Sequence, residues 1–175
     1  MQNNLVITAL GDHDPRLIEH FTRSVKECGC SIIECRMAAL GDRFAIIMML
    51  NGSWDAIAKM EDSLPRLEER LNLSIISSRS VPVQPKQSLM PYAIDVVAFD
   101  QIGVVYDITQ FIANNNINIQ ALYTNSYNAA HTGTPMISLH MTISIPTDVS
   151  IAALRGDFMD FCDQLNLDAI MEPVK

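Results

Sequence analysis

Residues 7–32 read ITALGDHDPRLIEHFTRSVKECGCSI, and residues 94–119 read IDVVAFDQIGVVYDITQFIANNNINI. At an offset of 87 residues the apolar positions of the two stretches coincide, whereas the polar positions are mostly dissimilar. The coinciding pairs are Ile7/Ile94, Ala9/Val96, Leu10/Val97, Leu17/Val104, Ile18/Val105, Phe21/Ile108, Val25/Ile112, Cys30/Ile117 and Ile32/Ile119. A shared core pattern of this kind indicates two copies of one domain.

The first copy predicts the order strand, helix, strand, strand, helix, strand. Asp14-Pro15 supplies an N-cap and a first-turn proline for the first helix, and Gly29 is suited to end that helix in a left-handed conformation. Ser53 caps the second helix, which Pro65 is expected to kink or restart. The strands are predicted over residues 4–10, 31–39, 43–51 and 73–80.

The second copy repeats this order. Strands are predicted over residues 92–99, 117–126, 134–145 and 167–174, and helices over residues 103–114 and 148–165. Residues 137–145 alternate strictly between apolar and polar side chains, which is typical of a strand with one buried face. Apolar residues three and four apart between Ile151 and Leu165 form one helical stripe.

The fold class is therefore α+β, with two tandem ferredoxin-like βαββαβ domains. Each domain is expected to have a four-stranded antiparallel sheet with two helices on one face. We assign residues 1–81 to the first domain, residues 82–91 to a proline-rich linker and residues 92–175 to the second domain. The uncovered sheet face in each copy predicts a paired assembly, most simply a homo-oligomer.

Composition narrows the class of protein. The 175 residues are 49% apolar and 18% charged, which favours a folded core, and the net charge of −8 without a basic patch disfavours direct nucleic-acid binding. There is no basic leader and no apolar stretch long enough to span a bilayer, so we expect a cytoplasmic protein without membrane contact. The four cysteines are interpreted as reduced and structural, with no metal site.

Catalytic chemistry is not expected from these residues. The four histidines lie in unlike contexts and no serine lies in a glycine elbow, so no catalytic residue is assigned. An RNA-recognition motif shares the topology, but the expected central strands carry no aromatic residue except Phe44. An acylphosphatase-like enzyme remains a distant alternative, with Arg16 as its sole candidate for a phosphate cradle.

The turns from the first strand into the first helix of each copy are the candidate ligand sites. Residues 11–16 and residues 100–104 are expected to aim backbone N–H groups outward at a helix N-terminus, where a carboxylate can bind. Asp12, Asp14 or Asp100 would then accept the ammonium group of an amino acid. The alternative is an ordinary capped helix start.

Four stretches carry a resemblance to a known family: Ile7-Thr8-Ala9-Leu10-Gly11, Asp14-Pro15, Cys28-Gly29-Cys30-Ser31-Ile32 and Gly52-Ser53-Trp54-Asp55-Ala56-Ile57. With them the chain resembles tandem ACT-domain proteins of the glycine cleavage system transcriptional repressor family. The likeness spans both copies, although the second copy matches mainly as a pattern.

The resemblance implies amino-acid binding between paired domains. In the first copy the ligand region maps to Gly11, His13, Asp14, Ser31 and Ile32. In the second it maps to Asp100, Gln101, Gly103, Asn118 and Ile119. The family pattern has glycine where this chain has Arg16, and the second copy has Ile102 in place of the proline. Arg16 would either fill the pocket or bind a carboxylate.

The resemblance also implies a function: repression of the glycine cleavage operon through a LysR-type activator rather than by direct DNA binding, relieved by a small amino acid such as glycine. No other cofactor is implied. The alternative is an ACT-type interaction module, or a regulator of a metabolic enzyme, that has lost ligand sensing.

Overall fold

The computed structural model describes residues 3–81 and 88–174. The chain divides into two compact units on either side of the boundary between residues 84 and 85. No helix of the described chain is long and apolar enough to cross a membrane.

The first unit has the order βαββαβ. Its elements are β1 (Asn3–Asp12), α1 (Leu17–Glu27), β2 (Ser31–Leu40), β3 (Arg43–Gly52), α2 (Trp54–Leu71) and β4 (Leu73–Ser80). The four strands form one sheet in the order β2-β3-β1-β4, in which every neighbouring pair is antiparallel.

The second unit repeats this topology. Its elements are β5 (Leu89–Phe99), α3 (Val104–Asn114), β6 (Asn118–Asn128), β7 (Pro135–Pro146), α4 (Ile151–Gln164) and β8 (Asp168–Pro173). Its sheet has the order β6-β7-β5-β8 and is again antiparallel throughout. The α+β prediction of two ferredoxin-like domains is confirmed.

The offset of 87 residues has a direct structural meaning. Phe21 and Ile108 are both fully buried, each in the hydrophobic core of its own unit. Leu10 and Val97, by contrast, are 48% and 37% exposed on the sheet face opposite the helices. The repeat thus preserves the core and also an apolar position on each open face.

Two helix boundaries differ from expectation. Helix α1 begins at Leu17 with Arg16 at the N-cap, not at Pro15. The carboxylate of Asp14 nevertheless accepts the backbone N–H of Arg16 at 2.7 Å, so it caps the turn that leads into the helix. Helix α4 begins at Ile151 because the hydroxyl of Ser150 accepts the N–H of Ala153.

Pro65 does not divide α2, which is one helix of 18 residues. Proline removes its own N–H donor and crowds the carbonyl one turn earlier, but buried Leu64 and Leu67 on either side anchor the helix to the core. The predicted cap at Ser53 and the left-handed Gly29, with φ of 79°, are confirmed.

The linker prediction needs a correction at its end. Leu89–Pro91 belong to β5, where they pair in register with Pro146, Ile145 and Ser144 of β7. Pro91 is tolerated here because it lies near the start of the strand, where the sheet loses only the one hydrogen bond that its missing N–H would donate. Residues 82–87 of the predicted linker lie outside the described residues.

Candidate functional site

The first turn, between β1 and α1, is occupied by its own contacts. The carboxylate of Asp14 binds the N–H of Arg16, and the carbonyl of Asp14 accepts the N–H of Leu17 at 3.1 Å. The backbone of His13 donates to the carbonyl of Asp42 at 3.3 Å, and its ring packs edge-on against Phe44 at 5.4 Å. The backbone N–H groups of His13 and Arg16, two of those expected to face a ligand, therefore already have acceptors within the protein.

Gly11 has a packing role in the same turn. A Cβ at this position would lie 2.5 Å from the side chain of Leu73 and 2.9 Å from the backbone oxygen of Asn72. Such contacts are too short for any other residue, so β1 and β4 require glycine where they pair. The structure therefore explains Gly11 without a ligand.

The second turn, between β5 and α3, has fewer side-chain contacts of its own than the first turn. Gly103 has φ of 106°, which favours glycine, and forms the N-cap of α3. The backbone N–H of Asp100 donates to the carbonyl of Pro135 at 3.0 Å. Within the described residues, however, the exposed side chains of Asp100 and Gln101 make no hydrogen bond or ion pair. Ile102 is fully exposed between them and Gly103.

The remaining candidates lie where β2 and β6 begin. Ser31 and Asn118 are exposed at the first positions of these edge strands, and Ile32 and Ile119 follow them at 42% and 39% exposure. Each strand then has a β-bulge immediately after the isoleucine. The bulges recur at the same offset of 87 residues, and bulges often accompany binding sites.

The structure does not bring the two halves of either candidate site together. Ser31 is opposite Asn51, which is opposite Asn4, and Gly11 lies seven residues further along β1. At about 3.3 Å per residue the separation is about 23 Å.

The second domain has the same arrangement. Asn118 is opposite Ser144, which in turn is opposite Pro91. Phe99, at the end of β5, lies eight residues further along that strand. That corresponds to about 26 Å along the strand. A free amino acid is much shorter than this, so it cannot touch both halves within one domain.

The open face of the second sheet carries a polar cluster that the sequence did not reveal as a group. His140 is one of the polar residues of the alternating segment 137–145, and the structure places it on this face. Its Nδ1 lies 2.6 Å from Oδ1 of Asp95, and its ring stacks on Tyr123 with centroids 6.3 Å apart. His140 and Asp95 are directly opposite in the β5–β7 register. The imidazole of His140 thus has its hydrogen-bonding partner within its own sheet.

The cysteine thiols are poorly suited to nucleophilic or metal chemistry. Burial raises the pKa of Cys162 to about 11, and burial followed by the nearby Cys28 raises the pKa of Cys30. These thiols are therefore protonated near neutral pH, whereas reactive or metal-bound sulfur is the thiolate. In the described part of the chain no group of three or more His, Cys, Asp or Glu residues is arranged to hold a metal ion.

The sequence of this chain is similar to a known domain family and to two named proteins. A model described as the ACT domain matches residues 3–77. The glycine cleavage system transcriptional repressor of Escherichia coli (strain K12) is 32% identical over 167 residues, covering 94% of this chain and 87% of the relative. The repressor of the same name from Shigella flexneri matches to the same extent.

Solved structures agree on the fold across the whole chain. A protein of unknown function from Galdieria sulphuraria superposes with a TM-score of 0.80 at 20% identity and covers 100% of both chains. A crystal structure provisionally assigned as a glycine cleavage system transcriptional repressor has a TM-score of 0.75 at 24% identity and covers 100% of this chain and 99% of its own.

Proposed function

The chain belongs to the family of the glycine cleavage system transcriptional repressor, and from that premise we propose that it is an amino-acid-responsive repressor acting through another protein. The family is regulatory rather than enzymatic, and ACT domains as a class bind amino acids. The proposed partner is a LysR-type activator of the glycine cleavage operon in the cytoplasm. The proposed effector is a small amino acid such as glycine.

One contrast between the two turns carries the proposal of amino-acid binding. In the first turn, Asp14 and His13 already have partners, whereas Asp100 and Gln101 in the second turn are exposed and unpaired within the described chain. A carboxylate and an amide beside a helix N-terminus suit the ammonium and carboxylate of an amino acid. The second domain is therefore the primary ligand-binding domain in this proposal.

The separation within each sheet favours a site completed by a second ACT domain. Asn118 lies about 26 Å from the turn of its own sheet, so it can contribute only to a ligand held by another domain. A ligand that bridges two domains stabilises their association, and it thereby shifts the population that presents a given surface to a partner. We therefore propose a homo-oligomer whose surface responds to an amino acid.

Calorimetric titration with glycine, serine and other small amino acids tests the sensing step. We expect saturable binding that Asn118→Ala weakens by about tenfold, equivalent to one lost hydrogen bond of about 1.4 kcal/mol. Asn128→Ala is the matched control, because Asn128 is exposed at the other end of the same strand and should leave binding unchanged. Silence across the amino-acid panel would remove the sensing proposal.

Capture of the activator tests the regulatory step. The full chain is expected to retain a purified LysR-type activator of the glycine cleavage operon and to release it when glycine is added. The operator DNA alone should not be retained, because a net charge of −8 opposes a polyanion. Direct retention of the DNA, or retention of the activator that glycine does not alter, contradicts this mechanism.

A second candidate function is an interaction module without ligand sensing. The occupied first turn favours it, since Asp14 caps that turn and Arg16 replaces the glycine of the family pattern. In this case Asn118→Ala would leave regulation in cells unchanged. The amino-acid-responsive repressor requires that variant to need about tenfold more glycine for the same response while still associating with its partner.

A further inference from the structure

A polar cavity of about 390 Å³ lies beside the first turn, between the end of β1, the start of α1 and the end of α2. Its lining includes Arg16 at the start of α1, His20 one turn later and Arg70 in the last turn of α2. Asp12 and Asp14 also line the cavity. The sequence resemblance already includes Asp14 in a ligand region and allows Arg16 to bind a carboxylate, but neither it nor the amino-acid proposal uses His20 or Arg70.

The acidic side chains of the cavity already have partners. Asp12 pairs with Arg43 at 2.6 Å and is 3.5 Å from the side-chain nitrogen of Asn72. One carboxylate oxygen of Asp14 accepts the backbone N–H of Arg16 at 2.7 Å. These contacts hold both carboxylates in place, and Arg43 offsets the charge of Asp12.

The two cavity arginines have no such partners. Within the described residues, neither Arg16 nor Arg70 forms a hydrogen bond or an ion pair through its guanidinium group. Arg23 and Arg79, by comparison, each pair with a glutamate of the same domain. Two exposed guanidinium groups without a partner in the described chain therefore line one cavity, where they can pair with a bound anion.

The domain duplication shows that this feature is not part of the common fold. At the offset of 87 residues, Arg16 corresponds to Gly103 and His20 corresponds to Asp107. The second domain therefore builds the same helix start without either group. The positive charge at the first turn is a property of the first domain alone.

We propose that this cavity binds a small organic dianion, with Arg16 and Arg70 each contacting one of its negative charges. The N-terminal end of α1 adds a favourable partial positive charge, and Arg70 offsets the opposite partial charge at the end of α2. Guanidinium groups recognise carboxylate and phosphate by paired hydrogen bonds, so a dicarboxylate and a phosphate ester share the required chemistry. This second effector site goes beyond the amino-acid proposal and does not depend on it.

Titration of the full chain with succinate and, separately, with inorganic phosphate tests the cavity. Two-dimensional NMR should show saturable shifts at the amides around Arg16 and Arg70, and calorimetry gives the affinities. Arg16→Gln and Arg70→Gln should each weaken binding by about tenfold or more. Arg23→Gln on α1 and Arg66→Gln on α2 are matched controls outside the cavity and should change the affinity less than about twofold.

Each outcome of the titration bears on the proposal. Binding of succinate alone supports a dicarboxylate, binding of phosphate alone supports a phosphorylated ligand, and binding of both supports recognition of the double charge. The proposal is overturned if neither probe saturates, or if the control variants weaken binding as much as the cavity variants do. Because Arg16 and Arg70 belong to the first domain and the turn proposed for glycine belongs to the second, an absence of glycine binding alone would leave the anion result intact.

Discussion

Replacing Phe21 by alanine should destabilise the first domain and leave the second unaffected. Phe21 is fully buried in α1 and packs in a core formed only by residues of the first domain. Truncating a buried phenylalanine costs about 3–5 kcal/mol, because apolar contacts are lost and a cavity remains. The core of the second domain has no member in common with it.

Amide hydrogen exchange resolved by mass spectrometry is the assay, because it reports the free energy of opening peptide by peptide. In Phe21→Ala, that free energy should fall by about 3–5 kcal/mol for slowly exchanging amides within residues 3–81 and stay unchanged within residues 88–174. Phe158→Ala, at a fully buried position of the second core, should give the reverse pattern.

A milder substitution keeps the test informative if Phe21→Ala leaves the first domain unfolded. Ile46→Val removes one methylene group from the same core and should cost about 0.5–1.5 kcal/mol. Equal loss of protection in both halves of the chain, with either variant, would refute the assignment of two independent cores.

Gly11→Ala should lower the free energy of unfolding of the first domain by about 1–3 kcal/mol in chemical denaturation, because its Cβ would clash with β4; an unchanged midpoint would contradict this packing role. Arg79 lowers the pKa of Glu61, so the stability that this pair contributes is present above about pH 4.5 and lost as the pH falls below it. The stability difference between wild type and Glu61→Gln should therefore disappear in acid, and a difference independent of pH would oppose this origin. Alkylation followed by mass spectrometry should modify the exposed Cys35 first and Cys162 only on unfolding, because burial raises the pKa of Cys162 to about 11; early labelling of Cys162 would be inconsistent with the second core.

The fold was predictable because its signals are local and occur twice. Ser53 caps a helix with its own hydroxyl and Gly29 ends one in a left-handed backbone conformation, so neither depends on distant residues. The alternation around His140 correctly placed that residue on the open face. The boundaries were less accurate, since Asp14 caps a turn before α1 and the start of β5 depends on its pairing with β7.

The site was less accessible to sequence reasoning because its properties depend on pairing between strands. The reason for glycine at position 11 becomes visible only when β4 lies beside β1. The two β-bulges arise from the register of the edge strands and have no signature in composition. Arg16 and Arg70 are 54 positions apart in the chain and meet at one cavity through tertiary packing alone.

The most direct measurement is a two-dimensional NMR titration of the full chain with glycine. The proposal predicts simultaneous shifts at both ends of the second sheet, around Asp100 and Gly103 in the turn and around Asn118 at the start of β6. Both sets should saturate at the same glycine concentration, because one ligand population would contact two domains. Shifts confined to one end of the sheet, or two sets with different affinities, would contradict a site assembled from two ACT domains.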